Sequence, residues 1–160
     1  MSHTVYLSAG TNLGDRETNL QEAIASLDRH RAIVRRVSSL YETEPVGFSN
    51  QSWFLNIAIE LIYDLTPLTL LDCCQEIERG QGRVRTFPNA PRTLDLDILL
   101  YDDRVVRTSR LTIPHPRMAQ RKFVLVPLAE LAPDVLHPVL KRSIRALLDI
   151  CPDPSQVRRY

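Results

Sequence analysis

Two segments of this chain, residues 54–61 and 94–101, alternate between large apolar side chains and a second, more varied set. Successive side chains of a β-strand point to opposite faces, so a period of two predicts strands that each bury one face in a core. The predicted core set is Leu55, Ile57, Ile59, Leu61, Leu94, Leu96, Ile98 and Leu100. The opposite set is Phe54, Asn56, Ala58, Glu60, Asp95, Asp97, Leu99 and Tyr101.

Two other segments have the period of an α-helix. One follows Asp15, a common N-cap residue, and the other begins at Thr66-Pro67 and ends at Gly80. Their apolar stripes are Leu20, Ala23, Ile24 and Leu27 in the first helix, and Leu70, Cys73, Cys74 and Ile77 in the second. Residues 9–15 are typical of a turn, while residues 42–52 and 81–93 are typical of long loops.

Short β-branched segments at residues 4–8 and 32–41 predict two more strands. The elements then follow the order strand, helix, strand, strand, helix, strand, which is the split βαβ pattern of ferredoxin-like domains. Further helices are predicted at residues 123–131 and 143–150. The predicted fold class is α/β (α+β), with a ferredoxin-like βαββαβ core and additional C-terminal strands and helices.

Composition limits the class of protein. With 160 residues and 44% hydrophobic content, we expect one globular domain over residues 1–160. A net charge of +1 argues against a polybasic nucleic-acid arm, and no apolar run approaches the ~20 residues that cross a bilayer. The three cysteines lack metal-ligand spacing, so reduced thiols and a cytoplasmic location are expected.

The strongest chemical signal is the pair Asp95 and Asp97 on a predicted strand. Residues two apart on a strand point the same way and lie roughly 6.6 Å apart along it. Two carboxylates on one patch suit a pair of magnesium ions in phosphoryl chemistry. The alternative is a solvated sheet face on which both aspartates form salt bridges to arginines.

Arginine is enriched around those carboxylates. Of the 20 basic residues 18 are arginine, and nine of them lie between Arg79 and Arg121. A guanidinium can bind phosphate through two parallel hydrogen bonds, so this distribution suits a magnesium–polyphosphate ligand. Neither glycine-rich phosphate loop is present, so side chains and metal would have to hold the phosphates.

Three other side chains are candidates. His115 lies between two prolines, which could present the imidazole to a ligand, although a structural role is the alternative. Phe54 and Asn56 share the face opposite the core set and could stack on and pair with a heterocycle. A helix that covers Phe54 is the alternative there.

Several motifs together resemble those of the hydroxymethyl-dihydropterin pyrophosphokinases of folate synthesis, over most of the chain. They are Gly10-Thr11-Asn12-Leu13-Gly14, Tyr41-Glu42-Thr43, Phe54-Leu55-Asn56, Glu76-Ile77-Glu78-Arg79, Gly82-Arg83-Val84-Arg85, Pro91-Arg92-Thr93-Leu94-Asp95-Leu96-Asp97-Ile98, Leu111-Thr112-Ile113-Pro114-His115 and Arg121-Lys122-Phe123. The resemblance implies a ferredoxin-like fold. It also implies transfer of pyrophosphate from ATP to the hydroxymethyl group of 6-hydroxymethyl-7,8-dihydropterin, giving AMP and the pterin diphosphate.

The resemblance further implies roles for individual residues. Two Mg²⁺ ions would be held by Asp95 and Asp97, and Arg83 and Arg92 would join these two as catalytic residues. The pterin would contact Thr43, Val46, Phe54, Asn56, Asp95 and Phe123. ATP, as co-substrate, would contact Gln75, Glu78, Arg83, Arg85, Arg92, Ile98, Arg110, Thr112, His115 and Arg121.

Two other classes of protein compete with this interpretation. A nucleotidyltransferase also uses Asp-x-Asp on a strand, but its Gly-Ser or Gly-Thr turn lies shortly before the aspartates, whereas Gly10-Thr11 lies far from Asp95. A ferredoxin-like RNA-binding module would present aromatic and basic residues on its sheet, where this chain offers Asp95, Asp97 and Glu60. We therefore expect small-molecule substrates and no nucleic-acid partner. No membrane partner and a monomeric protein are further expectations.

Overall fold

The computed structural model describes residues 1–45, 52–81 and 94–160. The strands are β1 (His3–Thr11), β2 (Ile33–Val37), β3 (Tyr41–Thr43), β4 (Phe54–Tyr63), β5 (Asp95–Tyr101), β6 (Val106–Arg107), β7 (Thr112–Ile113) and β8 (Val157–Arg159). Six of them form an antiparallel sheet: five strands lie in the order β5-β1-β4-β3-β8, and β2 pairs with β4. The helices are α1 (Arg16–Arg29), α2 (Pro67–Gly80), α3 (Lys122–Leu131) and α4 (Ile144–Asp149).

The helix boundaries follow from side-chain caps. The Asp15 carboxylate accepts the N–H of Thr18 at 3.1 Å, and the Thr66 hydroxyl accepts that of Thr69 at 3.2 Å. Each cap satisfies an N–H that has no partner within its helix. Among the described residues, no helix is both long and apolar enough to cross a membrane.

The sheet has an apolar core on each face. Helices α1 and α2 pack on the first face, where the core includes Leu7, Leu20, Ile59, Leu70 and Leu96. Helices α3 and α4 pack on part of the second face; Tyr6, Ala58, Leu100, Leu125 and Leu147 lie in that core.

Strand β5 contains a β-bulge that changes its pattern. Leu7 pairs with Ile98 and Tyr6 pairs with Leu100, which leaves Leu99 as an extra residue. After the bulge the faces exchange, so Leu100 lies in the second core and Tyr101 in the first. The prediction that Leu100 shares a face with Leu94, Leu96 and Ile98 was therefore wrong, as was the placement of Tyr101 on the opposite face.

The predicted strand at residues 32–41 is two strands, β2 and β3. Between them Ser38 is buried; its N–H donates to the carbonyl of Ala58 at 2.9 Å, and its hydroxyl accepts the N–H of Ala58 at 2.9 Å. A side-chain acceptor thus replaces the backbone carbonyl that a continuous strand would offer. Residues 38–40 interrupt the ladder for this reason.

Three smaller expectations also need correction. Strand β1 continues to Thr11, so Gly10 lies in a strand and not in the predicted turn. Cys73 is only partly buried, and the core stripe of α2 runs through Leu70, Cys74 and Ile77. Glu60 is not exposed on the sheet: it is 5% exposed and accepts bonds from the Tyr6 hydroxyl at 2.7 Å and from Arg36 at 2.8 and 3.0 Å.

The predicted helices over 123–131 and 143–150 are confirmed as α3 and α4. The Ser143 hydroxyl caps α4 by accepting the N–H of Ala146 at 3.1 Å. Strand β8 follows α4 and pairs with β3, so the last segment of the chain forms an edge of the sheet.

Candidate active site

One row of residues crosses the sheet from β5 through β1 to β4. Asp95 pairs with Gly10, and Gly10 pairs with Asn56 on its other side. Neighbouring strands lie about 4.8 Å apart, so Asp95 and Asn56 lie about 10 Å apart across the sheet. A Cβ atom on Gly10 would lie 2.5 Å from Asn56 Oδ1, which means that the Asn56 side chain extends over Gly10.

Asp95 and Asp97 are half-buried and alternate with Leu94, Leu96 and Ile98, which are buried in the first core. Both carboxylates therefore face the second side of the sheet, together with Asn56. No cluster of three potential metal ligands occurs within residues 1–45, 52–81 and 94–160. Two carboxylates nevertheless suit Mg²⁺, because protein sites for this ion often supply one or two carboxylates and leave the rest to water and phosphate oxygens.

Asn56 is buried and tied to Thr43. Its Nδ2 donates to Thr43 Oγ1 at 2.7 Å, and both residues are almost fully buried. Thr43 pairs across the sheet with Phe54, which is half-buried and shares the face of Asn56. Phe123, in the first turn of α3, is also half-buried and packs against the second core. Thr43, Phe54, Asn56 and Phe123 therefore lie on the same side of the sheet.

Helix α2 meets the outer edge of β5 through Glu78. Glu78 is buried, and its Oε2 accepts the main-chain N–H of Leu96 at 2.8 Å. Leu96 is the residue between Asp95 and Asp97. An edge strand would otherwise leave that N–H without a partner in the sheet. Glu78 thus supports the strand that carries both aspartates.

The exposed side of α2 brings two predicted ATP contacts together. Arg110 Nη2 donates to Gln75 Oε1 at 3.3 Å and to Asp72 Oδ1 at 2.6 Å. Asp72 was not among the predicted site residues, although its position one helical turn before Gln75 could have indicated it.

His115 is held by the β-bulge of strand β5. Its main-chain N–H donates to the carbonyl of Leu99, the extra residue, at 3.0 Å. Its Nδ1 accepts the N–H of Arg117 at 3.1 Å, which leaves the proton of the neutral imidazole on Nε2. Burial, with added repulsion from Arg121 and Arg117, lowers the pKa of His115 to about 4. The ring is therefore a neutral hydrogen-bond donor near pH 7.

The remaining described candidates lie near these elements. Arg121 precedes α3, and its guanidinium lies 5.6 Å from the centre of the Phe123 ring. Thr112 is half-buried on β7. The Ile98 side chain is buried in the first core, so only its main chain could contact a nucleotide.

Four predicted site residues lie outside the described residues: Val46, Arg83, Arg85 and Arg92. Their roles stay predictions. One residue that the sequence motif contained but that we did not assign to the site is Gly10. Its proximity to Asn56 depends on strand pairing between distant segments, which the local pattern does not reveal.

Comparison with known proteins gives one consistent result. The sequence model of the family described as 7,8-dihydro-6-hydroxymethylpterin-pyrophosphokinase matches residues 6–133. A Bacillus subtilis protein named 2-amino-4-hydroxy-6-hydroxymethyldihydropteridine pyrophosphokinase is 48% identical over 136 residues, which cover 84% of this chain and 81% of that protein. An Aquifex aeolicus protein of the same name is 39% identical over 142 residues, with 89% and 88% of the two chains covered.

Longer proteins also match. The folic acid synthesis protein fol1 of Schizosaccharomyces pombe is 43% identical over 156 residues, which make up 97% of this chain but 21% of the yeast protein. Among solved structures, Plasmodium falciparum HPPK-DHPS with pteroate has a TM-score of 0.74 at 17% identity, covering 93% of this chain and 42% of that one. At this identity the structural match supports the fold alone, and it confirms the predicted ferredoxin-like class.

Proposed function

Because this chain belongs to the 7,8-dihydro-6-hydroxymethylpterin-pyrophosphokinase family, which transfers pyrophosphate from ATP to a hydroxymethyldihydropterin in folate biosynthesis, we propose that the row through Asp95, Gly10 and Asn56 is its active site. The products are AMP and the pterin diphosphate. The observation that carries this assignment is that a carboxylate pair and a buried amide face the same side of one sheet, the side on which α3 packs.

On the pterin side, Phe54 and Phe123 stack against the ring, while Asn56 pairs with its polar edge. The bond from Asn56 Nδ2 to Thr43 fixes the orientation of the amide, which leaves Oδ1 to accept an N–H of the ligand. Asp95 faces the same pocket from β5. The predicted contact of Val46 belongs to this side as well.

On the nucleotide side, Gln75, Arg110, Thr112, His115 and Arg121 surround ATP, with the main chain of Ile98 and the predicted contacts of Arg83, Arg85 and Arg92. His115 donates from Nε2 as a neutral group, so it binds ATP without adding charge. Glu78 contributes by holding Leu96, and through it the strand of both aspartates.

Asp95 and Asp97 are the residues that would hold two Mg²⁺ ions. When bound, these ions neutralise charge on the transferred phosphates and orient the acceptor hydroxyl. Carboxylates engaged in this way are poor general bases, because a nearby cation depresses the pKa of a carboxyl group. The protein's part is therefore mainly to align the pterin hydroxyl with the β-phosphorus.

We further propose that residues 1–160 act as one pyrophosphokinase domain, in the cytoplasm, as a monomer and with small-molecule substrates alone. Analytical ultracentrifugation with and without both substrates checks the monomer.

The nucleotide product tests the proposed function. With hydroxymethyl-dihydropterin and magnesium, ATP should give AMP and a pterin carrying two phosphates, because the hydroxyl attacks the β-phosphorus. Chromatography of the nucleotides and the mass of the pterin product distinguish the outcomes. Stoichiometric ADP would indicate a terminal kinase, and an adenylylated pterin with free pyrophosphate would indicate a nucleotidyltransferase; either would overturn the proposal.

A further inference from the structure

Arg16 links two strands of the pterin side from beneath the sheet. Its Nη1 donates to Glu42 Oε2 at 3.0 Å and to the main-chain carbonyl of Trp53 at 3.0 Å. Glu42 lies on β3, and Trp53 directly precedes β4. One guanidinium nitrogen therefore contacts both segments and fixes the distance between β3 and the start of β4.

Arg158 on β8 extends this contact. Its Nε and Nη2 donate to Glu42 Oε1 at 3.3 and 3.2 Å, and its guanidinium lies 4.4 Å from the centre of the Trp53 ring. We call Arg16, Glu42, Trp53 and Arg158 the Arg16 cluster. A cavity of about 460 Å³ adjoins it.

The Glu42 carboxylate is strongly held. The side chains of Arg16 and Glu42 are only 22% and 17% exposed, so water screens their attraction less than it does at the surface. Burial alone would raise the pKa of Glu42, but hydrogen bonds from Arg16 and Arg158 outweigh it and hold that pKa below its usual value.

The cluster lies one residue away from two predicted pterin contacts. Glu42 precedes Thr43, Trp53 precedes Phe54, and Thr43 and Phe54 pair with each other. Neighbouring residues of a strand point to opposite faces, so Glu42 lies beneath the sheet where Thr43 lies above it. A second hydrogen bond, from Asn12 Nδ2 to the carbonyl of Ser52 at 3.0 Å, holds the same segment just before β4.

We propose that Arg16 is a positioning residue for the pterin site: by holding Glu42 and the carbonyl of Trp53, it sets the pairing of Thr43 with Phe54 on the opposite face. This inference rests on the proposed function, because it assumes that the pterin binds above these residues. Arg158 supports Arg16 from the strand at the sheet edge.

Arg36, on β2, provides a matched control. Arg36 also binds one carboxylate and one main-chain carbonyl: it donates to Glu60 at 2.8 and 3.0 Å and to the carbonyl of Leu131 at 2.8 Å. Glu60 lies on β4 six residues after Phe54 and has no predicted part in binding. Arg36→Ala therefore reports the general cost of losing an arginine–glutamate contact elsewhere on the same sheet.

The test compares Arg16→Ala, Arg16→Lys and Arg36→Ala by calorimetric titration. The first titration measures the Kd of a non-hydrolysable ATP analogue in the presence of magnesium. The second measures the Kd of hydroxymethyl-dihydropterin at a saturating concentration of that analogue. We expect Arg16→Ala to raise the pterin Kd about tenfold, the scale of a lost charged hydrogen bond, and to leave the Kd of the analogue unchanged. Arg16→Lys, which keeps the charge, should recover part of the pterin affinity.

Arg36→Ala should lower Tm while both dissociation constants stay at the wild-type value. Equal pterin losses in Arg16→Ala and Arg36→Ala would overturn the inference, and so would a wild-type pterin Kd in Arg16→Ala. If the wild-type protein itself does not bind the pterin, the proposed function fails first, so the two failures are distinguishable.

Discussion

The side-chain amide of Asn56 extends over Gly10 so closely that a Cβ atom there would lie 2.5 Å from Asn56 Oδ1. The atom that would be displaced belongs to a buried side chain, which is bonded to Thr43 at 2.7 Å. Although Gly10 lies within a regular strand, a side chain at this position would collide with Asn56 on the proposed pterin side. Glycine is therefore required there.

Gly10→Ala should therefore weaken pterin binding. We expect a rise in the pterin Kd of about tenfold, because the displaced amide leaves its hydrogen bonds unmade. Gly80→Ala is the matched control: no described atom lies within 4 Å of a Cβ there, and alanine is about 0.5–1 kcal/mol better than glycine in a helix. Titration and Tm of both variants check this; unchanged pterin affinity in Gly10→Ala would contradict it.

Asp95→Asn and Asp97→Asn should each abolish turnover and leave the fold intact. Both substitutions remove charge from the proposed metal site, while the buried residues on the other face of β5 are unchanged. Asp103→Asn, an exposed aspartate just after the same strand, should behave as wild type. The measurements are turnover and Tm; near wild-type turnover in either site variant would show that the metal assignment is wrong.

Phe54→Ala and Phe123→Ala should weaken pterin binding more than ATP binding. Each loses about 0.5–1.5 kcal/mol of stacking in addition to buried area. Separate titrations of the two ligands give the comparison. Equal losses for both ligands would mean that the two rings only support the second core.

The pKa of His115, about 4, predicts a pH dependence of stability. The pKa of His115 in the folded state lies below the ordinary 6.5. The contribution of neutral His115 to the free energy of unfolding is therefore fully present above pH 6.5 and is lost as pH falls towards 4. Burial also lowers the pKa of His137, so the pH dependence of the wild type contains the effect of both histidines. A variant of His115 is needed to separate them.

His115→Asn keeps an acceptor for the N–H of Arg117 but does not titrate in this range. Its free energy of unfolding should therefore fall less between pH 6.5 and pH 4 than that of the wild type. Denaturant unfolding at a series of pH values measures the difference. Parallel curves for the two proteins would contradict the low pKa.

Asp72→Ala should tighten ATP binding, up to about fivefold, because the exposed bond to Arg110 competes with phosphate and such pairs are worth about 0–1 kcal/mol. The effect should vanish in an Arg110→Ala background, which a double-mutant cycle tests. Weaker ATP binding in Asp72→Ala would mean instead that Asp72 holds Arg110 in its binding position.

Local periodicity was enough to place the proposed chemistry on one face of the sheet. The alternation around Asp95 and Asp97, and that around Phe54 and Asn56, is a property of each strand by itself and is present in the structure, where the apolar set lies in the first core. The caps at Asp15 and Thr66 are local in the same sense, since each side chain binds an N–H three residues away.

Features that depend on distant pairing were not predictable. The bulge at Leu99 exists only in relation to Tyr6 and Leu7, and β8 is a three-residue strand whose sequence has no alternating pattern. Glu78 reaches Leu96 because α2 packs beside β5, which its own sequence does not reveal. The individual binding roles of the site residues stay predictions.

The bulge at Leu99 also fixes the register of strand β5 against β1. A slip of one residue would turn both aspartates into the core, and a slip of two would keep their face but move the unpaired residue away from Tyr6 and Leu7. Either slip would also break the bond from His115 to the Leu99 carbonyl. We therefore expect changes in the length of the turn after Tyr101 to leave the position of Asp95 and Asp97 along the sheet unchanged.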